Sequence, residues 1–432
     1  MTLCKEWFQL LEDAIRHRYS LAQSHLAYLH FHLDFDSDIS EPPFHDHDHE
    51  IQASSPPRYY MNYALSSGPT IPISYEQRPQ SPERIQRGGS LPKSGYHILC
   101  ITFSTRVMST LRYKGSHTHM DRKTSLIEEE GRKRATLRLS NISSFKAELL
   151  EIHSEDPSLH IFLVPGNPGV VSFYKDFVEE VFELLDGNAS ITAIGHTSHT
   201  GKYLDFGRLF SLQDQINHKV DLIKQEVANK EIPIILVGHS IGSYISLEIF
   251  KRLQQQVKYY IGLYPFMTMN EKSSRQSRLV KITASSILRG AVSFSIALLG
   301  LLPNSASELL VRNLIGQSWS TTAVEAACTR LLRFHTMQNV LYMAMTEFQK
   351  FQLSEGPDWT FMREKRKQIA YLFGDDDHWG PLTLYEQICK QVPDVAISIE
   401  REGHTHSFSC TEAGSIWVAR HVVNLIRNQT SS

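Results

Sequence analysis

The apolar positions divide the chain into two unlike parts. From about residue 140 onward, short apolar runs alternate with longer segments in which apolar residues recur every three or four positions. "FKAELLEIH" and "LHIFLVPGNPG" read as strands, the second ending in a Gly/Pro turn. "VSFYKDFVEEVFELL" carries Val171, Phe173, Tyr174, Phe177, Val178, Val181, Phe182 and Leu185 at helical spacing. "SITAIGH" predicts a strand, "LFSLQDQINHKVDLIKQEVANK" an amphipathic helix, "IPIILVGH" a strand, the residues after Ser240 a helix, and "YYIGLYPF" a further strand. These strands are apolar at consecutive positions, as strands covered on both faces must be. The combination predicts an α/β fold with a mainly parallel sheet flanked by helices. The alternation lapses over 266–366, where the pattern is mostly helical. It resumes with "KQIAYLFGDDDHWGP", the helix "LTLYEQICKQV", the strand "DVAISIE" and the helix "GSIWVARHVVNLIRN". The expected organisation is therefore a core in two parts, 131–265 and 367–430, with a helical cap inserted at 266–366 before the acid-bearing strand.

Residues 1–130 lack this pattern. A short amphipathic helix fits residues 7–31. "DFDSDISEPPFHDHDHEIQASSPPRYY" and "SYEQRPQSPERIQRGGSLPKSG" are rich in Pro, Ser, Gly and charge. Such segments bury too little apolar surface to offset their ordering entropy, so disorder is expected over about 33–95. "HDHDHE" (45–50) has metal-ligand residue types, but it lies in a solvated polar tract without a fixed shell. The whole segment reads as an N-terminal extension, peculiar to the lineage or lying upstream of a start at Met108 or Met120.

Composition narrows the function classes. The 432 residues include 44 basic and 46 acidic side chains, for a formal charge of −2. A chain so balanced offers no electrostatic case for nucleic acid as its main partner. Cys4, Cys100, Cys328, Cys389 and Cys410 are few, odd in number and widely spread. They fit reduced thiols in a cytosolic protein. Glu6, Glu12 and Asp13 interrupt the amino terminus, which makes a poor signal or transit peptide.

The candidate chemistry centres on "IPIILVGHSIGSYISLEIF". Gly238-His239-Ser240-Ile241-Gly242 fits G-x-S-x-G between an apolar strand and a helix. A serine on so sharp a turn projects its hydroxyl above the sheet, and the small residues two before and two after it let strand and helix approach. A nucleophilic serine needs an acid and a histidine later in the chain. "YLFGDDDHWGP" offers Asp375, Asp376 and Asp377 after one late strand, and "ISIEREGHTHSF" offers His404 and His406 after the next. In "LVPGNPG", Gly166 allows close backbone approach. The Asn167 N–H is then the expected oxyanion donor beside that of Ile241, since Pro168 has none. "GHTSHT" places His196 and His199 on a strand-end loop, where they are expected to line the substrate entrance, with a metal pair as the alternative.

With these residues assembled, the chain resembles the lipid droplet-associated hydrolase family, a branch of the α/β-hydrolases. The matching segments are "FLVPGNPGVVSFYKDFVEEV", "ILVGHSIGSYISLEI", "YLFGDDDHWGP" and "EGHTHSFS". The P-G-N-P-G loop is unusual among α/β-hydrolases, which more often have His-Gly there. The resemblance covers about 135–428, and none to a known domain is evident before about 130. It implies an α/β-hydrolase fold with Ser240 as nucleophile, Asp377 as acid and His406 as base, with Asp375, Asp376 and His404 as alternatives. It implies no cofactor and no metal.

The resemblance also implies a lipid ester substrate and work at the lipid droplet monolayer or the endoplasmic reticulum membrane surface, on the cytosolic face. Residues 290–302 are uncharged and apolar, too short to span a hydrocarbon core of about 30 Å. They are expected to dip into one lipid leaflet, anchored by Lys281 and Arg289, or to form a buried cap helix. Met337, Met343 and Met345 are expected to pack the cap, with an acyl chain against them. The expected activity is a serine ester hydrolase of neutral lipid or sterol esters. The alternatives are a droplet-surface structural or recruiting protein with little turnover, and a small-molecule esterase or acyltransferase.

Overall fold

Eight strands form one sheet among the described residues, in the spatial order β1-β2-β4-β3-β5-β6-β7-β8. They are β1 (Thr136–Ile142), β2 (Phe145–Ile152), β3 (Leu159–Val164), β4 (Ala189–Ile194), β5 (Ile234–His239), β6 (Val257–Leu263), β7 (Ile369–Gly374) and β8 (Ala396–Glu400). The computed structural model describes residues 133–430 except 203, 228–231, 271, 315–316 and 354–355. The helix expected at 7–31, the disorder expected over 33–95, the "HDHDHE" tract, Cys4 and Cys100 lie outside the described residues. β2 runs antiparallel to β1 and β4, and the other neighbours pair in parallel.

Parallel neighbours need crossover connections, and these are helices: α1 (Lys175–Leu184), α2 (Leu212–Val227) and α3 (Ile241–Arg252). The cap between β6 and β7 holds α4 (Ser274–Ala284), α5 (Ser286–Leu299), α6 (Asn304–Leu314), α7 (Thr321–Ala326), α8 (Phe334–Gln352) and α9 (Trp359–Glu364). α10 (Leu382–Gln391) and α11 (Glu412–Thr430) follow β7 and β8. Alternate strand residues feed two separate cores. Ile161, Leu163, Val237 and Leu263 pack with Val178 and Val181 of α1 and Val418 and Val422 of α11. Phe162, Val164, Leu236 and Tyr260 pack with Ile216 and Ile223 of α2 and Ile245 and Ile249 of α3. This two-sided burial explains why the central strands are apolar at every position. The fold is that of an α/β-hydrolase, as expected from the sequence.

In the cap, Ser285 has extended dihedrals and its hydroxyl accepts from the Leu288 N–H, capping α5 where α4 ends. α4 and α5 consequently meet at 99°. Arg289, expected as a surface anchor, is only 8% exposed. Its guanidinium donates to the Thr283 carbonyl in that corner and lies over the Tyr342 ring. Lys281 is exposed, so of the two expected anchors only the lysine faces solvent.

Candidate active site

The turn from β5 into α3 gives the site its shape. Ser240 has φ 56° and ψ −124°, a conformation rarely adopted by residues with a side chain. Holding it costs about 1–3 kcal/mol, supplied by the surrounding packing. The glycines around it have no room for a side chain. A Cβ on Gly238 would lie 2.4 Å from the Gly242 oxygen, and one on Gly242 would lie 2.2 Å from the Val164 oxygen. α3 therefore starts directly against the end of β3, with its first amides beside Ser240.

The loop after β3 closes over the same serine. A Cβ on Gly166 would approach the Ser240 Cβ to 3.0 Å. The Gly166 N–H does not face the site; it donates to the Tyr174 hydroxyl at 2.9 Å. The backbone N–H groups of Asn167 and Ile241 have no acceptor among the described residues. The Asn167 side chain reaches the cap, donating to the Val340 carbonyl and to Glu347 Oε1, each at 3.0 Å.

β7 and β8 deliver the acid and the imidazole. His406 Nδ1 lies 2.8 Å from Asp377 Oδ2. The other carboxyl oxygen, Oδ1, accepts from the Trp379 N–H at 2.9 Å. Burial pushes the Asp377 carboxyl up, but His406 and the amides of Trp379 and Gly380 outweigh it and hold it below its ordinary value. An ionised carboxylate at Nδ1 fixes the proton there and leaves Nε2 as the basic nitrogen. Asp375 and Asp376 are exposed, and His404 packs on Trp417 with ring centroids 5.6 Å apart. Of the alternatives, then, Asp377 and His406 are the acid and histidine brought together.

Ser240, His406 and Asn167 line a cavity of about 190 Å³. Its walls are largely apolar: Phe266, Leu279, Val292, Trp319, Leu341, Phe348 and Trp379 among others. Met337 also lines it, while Met343 is buried in the core behind α8. Glu347 of α8 is the one cap carboxyl on the wall among the described residues, and it is 4% exposed. Burial pushes it up to about 8, against the smaller opposing pull of the Asn167 amide.

Three polar residues at the site were not singled out from the sequence. His239 Nε2 lies 2.8 Å from the His406 carbonyl, so this nitrogen donates, and Nδ1 accepts from the Tyr174 hydroxyl at 2.6 Å. Burial and the nearby His406 keep the His239 ring well below its ordinary value, hence neutral. The chain Gly166–Tyr174–His239–His406 thus ties the loop after β3 to the loop carrying the imidazole. Tyr174 carried a helical apolar signal and stood in the Y-x-x-F that follows the P-G-N-P-G loop, neither of which gave it a polar role, and His239 occupied a variable place in the elbow pattern. Glu347 had a faint signal, being four residues from both Met343 and Phe351 on the buried stripe of α8.

His196 and His199 do not line the entrance, contrary to expectation. They are 0% and 1% exposed, packed behind the loop after β3. His199 Nδ1 accepts from the Gly169 N–H at 2.9 Å, and a Cβ on Gly169 would collide with the His196 ring. No cluster of three or more His, Cys, Asp or Glu suited to a metal ion occurs among the described residues.

A family model described as lipid-droplet associated hydrolase matches residues 157–409. A second, described as a protein of unknown function (DUF630), matches residues 1–31, a segment for which no resemblance was expected. A lipid droplet-associated hydrolase of Gallus gallus is 28% identical over 265 residues, covering 58% of this chain and 80% of its own. One of Dictyostelium discoideum is 25% identical over 273 residues, covering 61% and 86%. Among solved structures, a variant of an epoxide hydrolase from Solanum tuberosum superposes with a TM-score of 0.50 at 16% identity, covering 68% of this chain and 100% of its own.

Proposed function

The chain belongs to the lipid droplet-associated hydrolase family, and from that premise we propose that it is a serine hydrolase of lipid carboxylic esters acting at the surface of lipid droplets. Family and fold support hydrolytic chemistry. The observation that carries the serine mechanism is the strained Ser240 in one cavity with an imidazole held by a buried carboxylate.

In the proposed reaction the ester carbonyl sits over Ser240. His406 Nε2 takes the hydroxyl proton as Oγ adds to the carbonyl carbon. The N–H groups of Asn167 and Ile241 receive the oxyanion, and the amino-terminal end of α3 adds its favourable dipole. His406 passes the proton to the departing alcohol, leaving an acyl-enzyme on Ser240. Water, deprotonated by His406, releases the fatty acid and restores the serine. A purely recruiting protein needs neither the backbone strain at Ser240 nor a buried carboxylate at Asp377, and both are costly to hold.

A fluorophosphonate probe tests this reading on the full chain, since such probes require an activated serine. Strong labelling is expected, and none in Ser240→Ala or His406→Ala. A folded wild-type protein that does not label would sink the hydrolase reading and leave droplet recruitment as the function.

The lipid surface is proposed to meet the cap. Ile287, Phe294 and Leu298 of α5, Leu301 just beyond it and Leu309 of α6 are large apolar side chains left exposed, Ile287 by 81% and Leu301 by 79%. No single described helix is long and apolar enough to cross a membrane; only the bent pair α4–α5 passes such a test jointly. That geometry suits a monolayer, which a helix can enter but not span. The names of the relatives favour the droplet over other membranes. The endoplasmic reticulum and a cytosolic face are part of the same proposal. Each exposed aliphatic side chain moved into lipid contributes about 1.5–3 kcal/mol. The double change Ile287→Asp with Leu301→Asp is therefore expected to weaken flotation with triolein droplets coated in phosphatidylcholine by about a hundredfold or more. Unchanged flotation would remove the cap face from the proposal.

A further inference from the structure

The cavity wall contains one feature that hydrolysis of a hydrocarbon ester does not use. Glu347 is buried among Leu341, Phe348 and Trp379, where a carboxyl is costly in either protonation state. Its Oε1 accepts from Asn167 Nδ2 at 3.0 Å. Its Oε2 has no partner among the described residues, although the side chain lines the cavity. Several of the other polar side chains on the wall are already engaged, although Asn167 Oδ1 also lacks a partner among the described residues. The Thr283 hydroxyl donates to the Leu279 carbonyl, and Tyr174 and His239 bond to each other. Glu347 therefore presents an unanswered polar group in an apolar chamber.

We infer that Glu347, braced by Asn167, is a specificity-determining subsite for a free hydroxyl carried by the lipid ester close to its scissile carbonyl. A hydroxyl fits because it both donates and accepts. It can accept from Oε2 when the acid is neutral and donate to it when the acid is ionised. A carbonyl or an ammonium would each match only one of those states. The position follows from Asn167, whose backbone belongs to the loop over Ser240 while its side chain touches Glu347. A group meeting Glu347 thus lies only a few bonds from the carbonyl under attack. A partial glyceride has a hydroxyl there, whereas a triacylglycerol or a simple sterol ester has none. An ester without the hydroxyl leaves the carboxyl unanswered, and unmatched buried polar groups discriminate more strongly than missing methylenes do.

This inference rests on the hydrolase reading, so its test uses binding and not turnover. Full-length Ser240→Ala is titrated with a long-chain alkylglycerol ether and with the matched alkyl propyl ether, neither of which can be hydrolysed. Fluorescence of Trp319 and Trp379, both on the cavity wall, reports occupancy. The glycerol ether is expected to bind about tenfold tighter or more. Adding Glu347→Leu should bring that ratio below about threefold, and adding Glu347→Gln, which keeps a donor and an acceptor, should preserve most of it. A ratio that survives in Glu347→Leu, an equal weakening of both ethers, or no binding of either would overturn the subsite. An equal weakening would mean that Glu347 only braces Asn167. Failure of Ser240 to label with fluorophosphonate would count against the hydrolase reading instead, and the binding ratio would still stand on its own.

Discussion

Asp377→Asn is expected to lower kcat on a soluble test ester by about 10³–10⁴-fold with little change in KM. The reason lies in the second carboxyl oxygen. Oδ1 of Asp377 accepts from the Trp379 N–H, so an asparagine will set its own carbonyl oxygen there. Its NH2 group then faces His406 Nδ1, where Oδ2 now lies at 2.8 Å. Nδ1 must accept, the ring proton moves to Nε2, and no lone pair remains to take the Ser240 proton. Fluorophosphonate labelling should slow in parallel, because the probe needs the same base. Asp375→Asn and Asp376→Asn, both at exposed positions, should change the rate by less than about twofold. A comparable loss in either of those, with Asp377→Asn near wild type, would show that the wrong acid has been assigned.

The parts of this molecule legible in the sequence are those where one physical requirement dominates. Strands buried on both faces read as apolar runs, and β3, β5 and β7 are of this kind. Gly238 and Gly242 read as an elbow because no side chain fits there. Asp375, Asp376 and Asp377 could not be separated by pattern alone, since all three follow β7 directly. What separates them is burial, and burial depends on how the turn is held by Trp379 and Gly380. The polar chain through Tyr174 and His239 was hidden for a related reason: each side chain has an apolar body and a polar tip, so it reads as core until its partner is known. Arg289 misled by its charge. A basic residue beside an apolar helix suggests a lipid anchor, yet here it closes the corner between α4 and α5. His196 and His199 misled by position, because a strand-end loop is where cleft residues usually stand and this one is packed beneath another loop.

That packing is expected to make the protein acid-labile. His196, His199 and His218 are each at most 2% exposed, and Lys219 is fully buried beside them. Burial, followed by repulsion from Lys219, takes His199 and His218 down to about 3 and His196 well below its ordinary value of 6.5. Burial alone takes Lys219 down to about 7. Both ring nitrogens of His196 and of His218 lack a partner among the described residues. Below pH 6.5 the unfolded chain binds histidine protons that the folded chain refuses, so the histidines' contribution is intact above that value and is lost as the pH falls from 6.5 towards 3, while Lys219 refuses its proton earlier, between 10.5 and about 7. His199 and His218 then each cost about 1.4 kcal/mol per pH unit, or about 2 kcal/mol at pH 5. Two such costs, with that of His196 in the same direction, are a large share of the stability of a typical domain, about 5–15 kcal/mol. Urea denaturation is therefore expected to show a large fall in stability between pH 7 and pH 5. His218→Leu separates this cause from general acid effects, since it removes one refused proton and two unpartnered nitrogens without touching the loop over Ser240. It should be more stable than wild type at pH 7 by about 1–2 kcal/mol, with the gap widening by about 2 kcal/mol at pH 5. A gap that stays constant from pH 7 to pH 5 would mean that His218 accepts its proton in the folded state and that the acid sensitivity originates elsewhere.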